Sequence, residues 1–194
     1  MNPQPNTAPA PDGSVEPTPA AMRHALGHFA SGVTIVSGMS AGEPAGFACQ
    51  SFASVSLDPP LVLFCADHHG RSWPAIRAAG RCTVNILGEN QTDLCQRFGT
   101  RAGRKFEDLA WWETRWGTSA LPGAITRVHC EMTDVHVCGD HDVVISRVLG
   151  LEEAADALPL LFYRGAFGLA GPAPEDWRRS GLEPVTWAWD DHWW

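Results

Sequence analysis

The 194-residue sequence lacks the features that mark several large classes of protein. Its longest apolar stretches, such as residues 59–66, are strand-length and far below the ~20 residues that a membrane-spanning helix needs. Lysine is nearly absent, with Lys105 as the single one, and 14 basic residues against 22 acidic ones give a formal charge of -8. Because a nucleic-acid surface needs a basic stripe, the composition argues against nucleic acid and membrane partners and favours small molecules or proteins.

The common motifs of nucleotide-binding and hydrolytic enzymes are missing as well. No G-x-G-x-x-G, G-x-x-x-x-G-K-[ST], G-x-S-x-G or H-E-x-x-H string occurs. The six cysteines are spread singly and never form a C-x-x-C pair. We expect no signal peptide, since the N-terminus has no basic cluster followed by an apolar core. These absences predict a cytoplasmic protein with reduced thiols and no metal site, because structural zinc sites usually take two ligands from a tight pair.

Composition divides the chain into three parts. Residues 1–20 hold six of the 15 prolines and no aromatic residue, which predicts a disordered leader. Residues 21–170 carry regular apolar patterns and predict one folded domain. Residues 171–194 form a tail with five of the nine tryptophans after a Pro-Ala-Pro linker.

The periodicity of residues 21–170 predicts a mainly β fold with few short helices. Apolar spacings of four and three over Met22, Leu26 and Phe29 predict a helix that has ended by Gly32. Helices are also expected over residues 73–79, with Ser72 as N-cap, and over residues 91–98. The expected strands cover residues 33–37, 45–52, 61–66, 81–87, 128–133, 143–151, 160–162 and 166–169, with an irregular loop over 99–123. Many short strands without a βαβ repeat favour an antiparallel barrel over a doubly wound sheet.

The string GFACQSFASVSLDPPLVLFC over residues 46–65 resembles the flavin reductases of the FMN-binding split-barrel superfamily. Further pieces agree in order and spacing: FASGVTIVS, RSWPAI, GRCTVNIL, RFG, RKF, GDH and PLLFYRG. Together these pieces cover about residues 22–169. The match is nearest to reductase components that serve aromatic-ring hydroxylases, including those of steroid-ring degradation, where GFACQSF replaces the commoner GMTANSF. The resemblance implies an FMN-binding split β-barrel with Greek-key antiparallel strands, assembled as a homodimer.

The resemblance also implies an activity, that of an NAD(P)H:flavin oxidoreductase. Such an enzyme uses NADH or NADPH to reduce FMN or FAD, and it supplies the reduced flavin to a separate monooxygenase component. Little side-chain acid or base chemistry is needed, because the protein mainly stacks and orients the two cofactors. The alternatives are a non-catalytic flavin- or haem-binding split-barrel protein and a pure protein-interaction partner.

The residues themselves offer the donors that a flavin phosphate needs without a P-loop. These are the hydroxyls of Ser51 and Ser72, the Gln50 amide and the guanidinium groups of Arg71 and Arg97. The small residues Ala45, Gly46, Ala48 and Cys49 let the backbone approach a flat ring closely.

The resemblance places the flavin ring along residues 46–51 and assigns His141 to the nicotinamide side. A strand-edge histidine bonded to a neighbouring carboxylate is the alternative for His141, and Arg164 could meet a nucleotide phosphate or an acidic neighbour. For the tail, packing on the barrel or across a dimer competes with covering the flavin or nicotinamide face. The expected catalytic residue is His141, and the expected cofactor-binding residues are Gly46, Phe47, Ala48, Cys49, Gln50, Ser51, Cys65, Ala66, Asp67, Arg71, Ser72, Arg97, Phe98, Gly139, Asp140, His141 and Arg164.

Overall fold

The computed structural model of the chain describes residues 14–100, 104–153 and 157–167. Most of the predicted leader and the whole tryptophan-rich tail lie outside the described residues. The helices in these segments are α1 (Pro19–Leu26), α2 (Trp73–Ala79) and α3 (Thr92–Gly99). The strands are β1 (Ser31–Gly32), β2 (Thr34–Ser40), β3 (Glu43–Cys49), β4 (Ala53–Leu57), β5 (Pro60–Asp67), β6 (Arg81–Ile86), β7 (Trp112–Glu113), β8 (Ser119–Ala120), β9 (Thr126–Cys138), β10 (His141–Glu153), β11 (Leu161–Tyr163) and β12 (Ala166–Phe167). No helix in the described segments is long and apolar enough to cross a membrane.

The main sheet has seven strands in the order β3-β2-β6-β9-β10-β5-β4, and all of its pairings are antiparallel. Its two ends lie close together: the hydroxyl of Ser51, just after β3, accepts a hydrogen bond of 2.8 Å from the amide of Cys65 on β5. The predicted mainly β antiparallel barrel is confirmed. Strands β3 and β5 approach each other at the mouth of a cavity described below.

Alternating burial along the strands builds the barrel interior. On β5, Val62, Phe64 and Ala66 are buried while their neighbours are half-exposed, which is the period of two expected for a strand with one face inward. The interior cluster comprises Val36, Cys49, Val62, Phe64, Ala66, Trp73, Ile76, Cys82, Val84, Val128, Cys130 and Val144. A second cluster packs under α3 and comprises Val33, Ile35, Leu87, Cys95, Phe98, Leu121 and Leu160. Side chains of β2 therefore pack into the barrel interior on one face of the strand and against α3 on the other.

Helix α1 differs from its prediction in position. It begins at Pro19, inside the predicted leader, because the hydroxyl of Thr18 caps it by accepting a hydrogen bond of 3.2 Å from the amide of Ala21. The helix ends at Leu26. The predicted apolar stripe remains at the surface of the protomer, with Met22 45%, Leu26 61% and Phe29 79% exposed.

The prediction of an irregular loop over residues 99–123 was wrong in part. Trp112 pairs with Ala120 and Glu113 pairs with Ser119, forming the short hairpin β7–β8. The hairpin is stabilised by a hydrogen bond of 2.7 Å between the hydroxyls of Thr114 and Thr118. Two-residue strands give no detectable period, so the sequence pattern could not reveal them.

The observed ends of the strands near the cavity also differ from the predicted ones. The strand predicted over residues 45–52 is β3, which ends at Cys49, and the edge strand β4 was not predicted. Hairpin β9–β10 is longer than expected and runs from the pair Thr126–Glu153 to the pair Cys138–His141. The described strands are therefore organised around this one long central hairpin.

Candidate active site

A cavity of about 1250 Å³ opens beside β3, the start of α2 and the end of α3. A cavity of this volume is large enough for a nucleotide-sized ligand. The fold brings together here segments that are far apart in the sequence. The sequence-predicted residues that line the cavity are Gly46, Phe47, Ala48, Cys49, Gln50, Ser51, Cys65, Asp67, Arg71, Ser72, Phe98 and His141.

Gly46 forms part of a flat wall because no side chain fits at its position. A Cβ atom there would lie 2.8 Å from Cε1 of Phe98 and 3.2 Å from the carbonyl oxygen of Val36. Ala48, two residues further along β3 and therefore on the same face as Gly46, is also small and lines the cavity. A planar ring could therefore approach the backbone of β3 closely.

The end of β3 is held in place by short polar contacts. Besides accepting from the Cys65 amide, the Ser51 hydroxyl lies 3.3 Å from Sγ of Cys49. Burial raises the pKa of the Cys49 thiol, so this cysteine is neutral near pH 7. The Ser51 hydroxyl predicted to bind a ligand thus also joins β3 to β5, whereas the exposed Gln50 beside it lines the cavity with no such role.

The start of α2 places two of the predicted phosphate donors on the cavity. Ser72 is the N-cap residue, as predicted, but its side chain makes no capping hydrogen bond. Arg71 is exposed and pairs with no carboxylate in the part of the chain that the structure describes. The helix ends at Gly80, which adopts a φ of 71° that favours glycine.

Asp142 fixes α2 against the sheet, a role that sequence reasoning missed. Its carboxylate is 1% exposed and accepts hydrogen bonds from Nε1 of Trp73 at 2.8 Å and Nη1 of Arg77 at 2.9 Å. Nε2 of His68 lies 2.9 Å from its other oxygen. The hydrogen bond from Trp73, followed by those from its other partners, lowers the pKa of this carboxyl despite burial. Asp142 therefore orients the segment that carries Arg71 and Ser72.

His141 begins β10 at the rim of the cavity. Its Nδ1 atom lies 2.7 Å from Oδ1 of Asp140, and this hydrogen bond lowers the pKa of the Asp140 carboxyl. Asp67 is its partner residue on β5, and a hydrogen bond from the amide of His69 lowers the pKa of Asp67. His141 is thus bonded to a neighbouring carboxylate, as the alternative interpretation expects, and it also lines the cavity.

The remaining predicted residues are not brought to the cavity wall. Ala66 is fully buried in the barrel interior, and Gly139 and Asp140 form the turn between β9 and β10. The guanidinium of Arg97 donates to the carbonyl oxygen of Glu107. Arg164 lies in the β11–β12 turn, where its amide donates to the carbonyl oxygen of Gly27 at 2.9 Å.

The segment after α3 supplies lining residues that the prediction left out. Lys105 is half-buried, and its ammonium donates hydrogen bonds to the carbonyl oxygens of Phe98 at 2.8 Å and Gly46 at 3.3 Å. Burial, and then the charge of Arg71, lower the pKa of Lys105. The ring of Phe106 packs edge-on against Phe98 at 5.0 Å. The one available signal was that the single lysine of the chain falls within the RKF piece.

Comparison with known proteins gives a consistent result. The Flavin reductase like domain model matches residues 26–170. A flavin-dependent monooxygenase reductase subunit, HsaB, from Rhodococcus jostii (strain RHA1) is 43% identical over 90% of this chain and 91% of its own length. The FMN reductase (NADH) SmoA from Agrobacterium fabrum (strain C58) is 40% identical over 75% of this chain and 83% of its own.

A solved structure agrees with the sequence relatives. The Streptomyces globisporus C-1027 NADH:FAD oxidoreductase SgcE6, in complex with NAD and FAD fragments, superposes with a TM-score of 0.76. It is 27% identical, and the match covers 84% of this chain and 99% of that one. Residues 26–170, which the family model matches, contain the whole cavity wall described above, and the chain therefore belongs to the flavin reductase like family.

Proposed function

We propose that this protein is an NADH-dependent flavin reductase that reduces FMN or FAD and supplies it to a separate monooxygenase component. The observation that carries the proposal is the cavity, where the flat wall at Gly46 adjoins the donors of Arg71, Ser72 and Gln50. The names of the relatives support the same activity, since they include a monooxygenase reductase subunit, an NADH-dependent FMN reductase and an NADH:FAD oxidoreductase.

The chemistry of the lining residues fits a flavin. Small residues and the rings of Phe98, Phe106 and Trp111 offer apolar surface for the isoalloxazine, while cationic and hydroxyl donors suit its phosphate. A bound flavin would supply the ring that accepts a hydride from the nicotinamide. The protein's own part is to hold the two rings in contact and exclude water, which needs orientation more than acid or base catalysis.

His141 is the residue that we assign to the nicotinamide. Its Nδ1 atom lies 2.7 Å from Oδ1 of Asp140, and in the neutral ring a hydrogen bond from Nδ1–H to this carboxylate leaves Nε2 as an acceptor. The carboxamide of nicotinamide carries an N–H₂ donor that could meet this atom. A histidine at the rim of the cavity can orient the nicotinamide ring without blocking the place of the flavin ring. His141 is therefore a positioning residue for NADH.

We also propose a homodimer in the cytoplasm. The exposed apolar stripe of Met22 and Leu26 on α1, continued by Phe29 just after the helix, is a surface that a second copy of the chain could cover. All six cysteines are free thiols, which is typical of a reducing compartment. Sedimentation at micromolar concentration that showed only a 21.0 kDa species would contradict the dimer.

The decisive experiment is steady-state NADH oxidation with FMN, FAD and riboflavin in turn. We expect flavin-dependent NADH consumption, with NADPH poorer. Flavin binding without any NADH oxidation would instead support the non-catalytic split-barrel alternative. Absence of any flavin binding would support the second alternative, a protein that acts only as an interaction partner.

A further inference from the structure

Two cations, Arg71 and Lys105, line the same cavity from different sides. Neither pairs with a carboxylate among the residues that the structure describes. We propose that Lys105, together with Arg71, binds the phosphate of the flavin and so makes the site selective for phosphorylated flavins over riboflavin. This inference rests on the proposed function and adds to it a residue that discriminates between substrates.

The position of Lys105 is fixed by its hydrogen bonds. Its ammonium has three protons, and two of them are donated to the carbonyl oxygens of Gly46 on β3 and Phe98 on α3. Both acceptors are neutral, so they orient the ammonium without neutralising its charge. One proton and the full positive charge remain for a ligand next to the flat wall at Gly46.

The electrostatics of the cavity favour an anion beside these two groups. The charge of Arg71 and partial burial both disfavour the protonated form of Lys105, and an anion between the two cations would remove that repulsion. The other charged residues that line the cavity are Glu43, Asp67, Arg104, Glu107 and His141. Arg104 and Glu107 form a pair of their own at 3.4 Å, and Asp67 accepts from the amide of His69.

Arg97 does not supply a second cation beside Arg71 in this cavity. The sequence placed Arg97 on the phosphate, but its guanidinium bonds the carbonyl oxygen of Glu107 and does not line the cavity. Lys105 is eight positions further along the chain and reaches the wall that Arg97 does not. The phosphate of FMN carries roughly 1.5 to 2 negative charges near pH 7, which matches two cations, whereas riboflavin carries none.

The test compares Lys105→Met with wild type, using flavin fluorescence to measure the Kd for FMN and for riboflavin. We expect the Kd for FMN to rise about 10- to 100-fold, as for loss of a hydrogen bond to a charged group. The Kd for riboflavin should change by less than about twofold. Lys105→Arg should restore most of the FMN affinity. Arg81→Gln removes the same charge from an ion pair with Glu131 on the sheet and should leave both constants unchanged.

Lys105→Gln is measured beside the methionine variant, because it keeps an N–H donor for the two carbonyls while removing the charge. A folding defect in one variant therefore leaves the other as a test. Equal losses for FMN and riboflavin would overturn the inference and make Lys105 a structural link between β3 and α3. An unchanged Kd for FMN would overturn it as well. Wild-type protein that binds no flavin would refute the proposed function itself, a result distinct from either.

Discussion

Replacement of Asp142 by asparagine should destabilise the protein strongly, although it only exchanges one carboxylate oxygen for an N–H₂ group. The Asp142 carboxylate accepts hydrogen bonds from Trp73 and Arg77 and faces the ring of His68, and it is 1% exposed. An asparagine has the same shape, but its N–H₂ group is a donor that must face either the ring of His68 or the two fixed donors, Trp73 and Arg77. Arg77 would also lose its partner charge.

The magnitude follows from these contacts. Hydrogen bonds to a charged group contribute about 1.5 to 3 kcal/mol each, and breaking a buried ion pair costs about 3 to 5 kcal/mol. Because asparagine keeps one acceptor and Arg77 is half-exposed, we expect a loss of about 2 to 4 kcal/mol in the free energy of unfolding. For a domain of this size the melting temperature should fall by about 5 to 15 °C.

The assay is thermal unfolding followed by circular dichroism at fixed protein concentration and several pH values. The folded-state pKa of Asp142 is lowered, chiefly by the hydrogen bond from Trp73, so its contribution is complete above the unfolded pKa and is lost as pH falls through the folded one. The gap between wild type and variant should therefore be widest near neutral pH and should narrow below about pH 4.

The matched control is Asp140→Asn, two residues earlier, whose carboxylate is 81% exposed. It should leave the melting temperature nearly unchanged. If Asp142→Asn unfolds within about 2 °C of wild type, or if the gap does not narrow in acid, the reasoning about this buried carboxylate is wrong.

Three further predictions concern the site, the packing and the tail. His141→Ala should lower kcat/KM for NADH about ten- to a hundredfold with the flavin Kd kept, and an unchanged value in a folded variant would remove His141 from the site. Gly46→Ala would press a methyl group against Phe98, which should cost about 1 to 3 kcal/mol and raise the flavin Kd, whereas Gly150→Ala, with a Cβ 2.5 Å from the Trp116 ring, should cost stability alone. Equal flavin binding in these two glycine variants would contradict the assignment of the cavity wall. Deletion of the tryptophan-rich tail should lower the melting temperature and leave the flavin and NADH KM values near wild type, and a tenfold change in KM at constant melting temperature would show instead that the tail covers the site.

Contiguous segments of the sequence carried most of the correct expectations. Residues 46–51 and 71–72 are short strings in which each residue reaches the cavity by local geometry, from one strand and one helix start. Strand periodicity on β5 likewise depends only on alternate side chains facing a common core. The mainly β fold, the family and most of the cavity wall could be predicted for this reason.

Side-chain partners between distant segments could not be predicted in the same way. Arg97 and Lys105 both lie near the end of α3 and both donate to backbone carbonyl oxygens, yet Lys105 lines the cavity and Arg97 does not. His129 alternates with apolar neighbours on β9 but is fully buried, because the ring of Trp116 stacks on it at 3.9 Å. Neither outcome follows from the periodicity of a strand or a helix.

The sequence by itself therefore determined the class of fold and the segments that form the site, because local periodicity and short strings depend on the backbone of one element at a time. Only the tertiary structure decided which charged side chains line the cavity and which make structural contacts instead. Asp142 acquires its role from partners 65 to 74 positions away, and the exposure of the α1 stripe depends on which surfaces the barrel leaves uncovered. Such contacts depend on the packing of whole elements, and the free energy of a buried charge depends on every group that surrounds it.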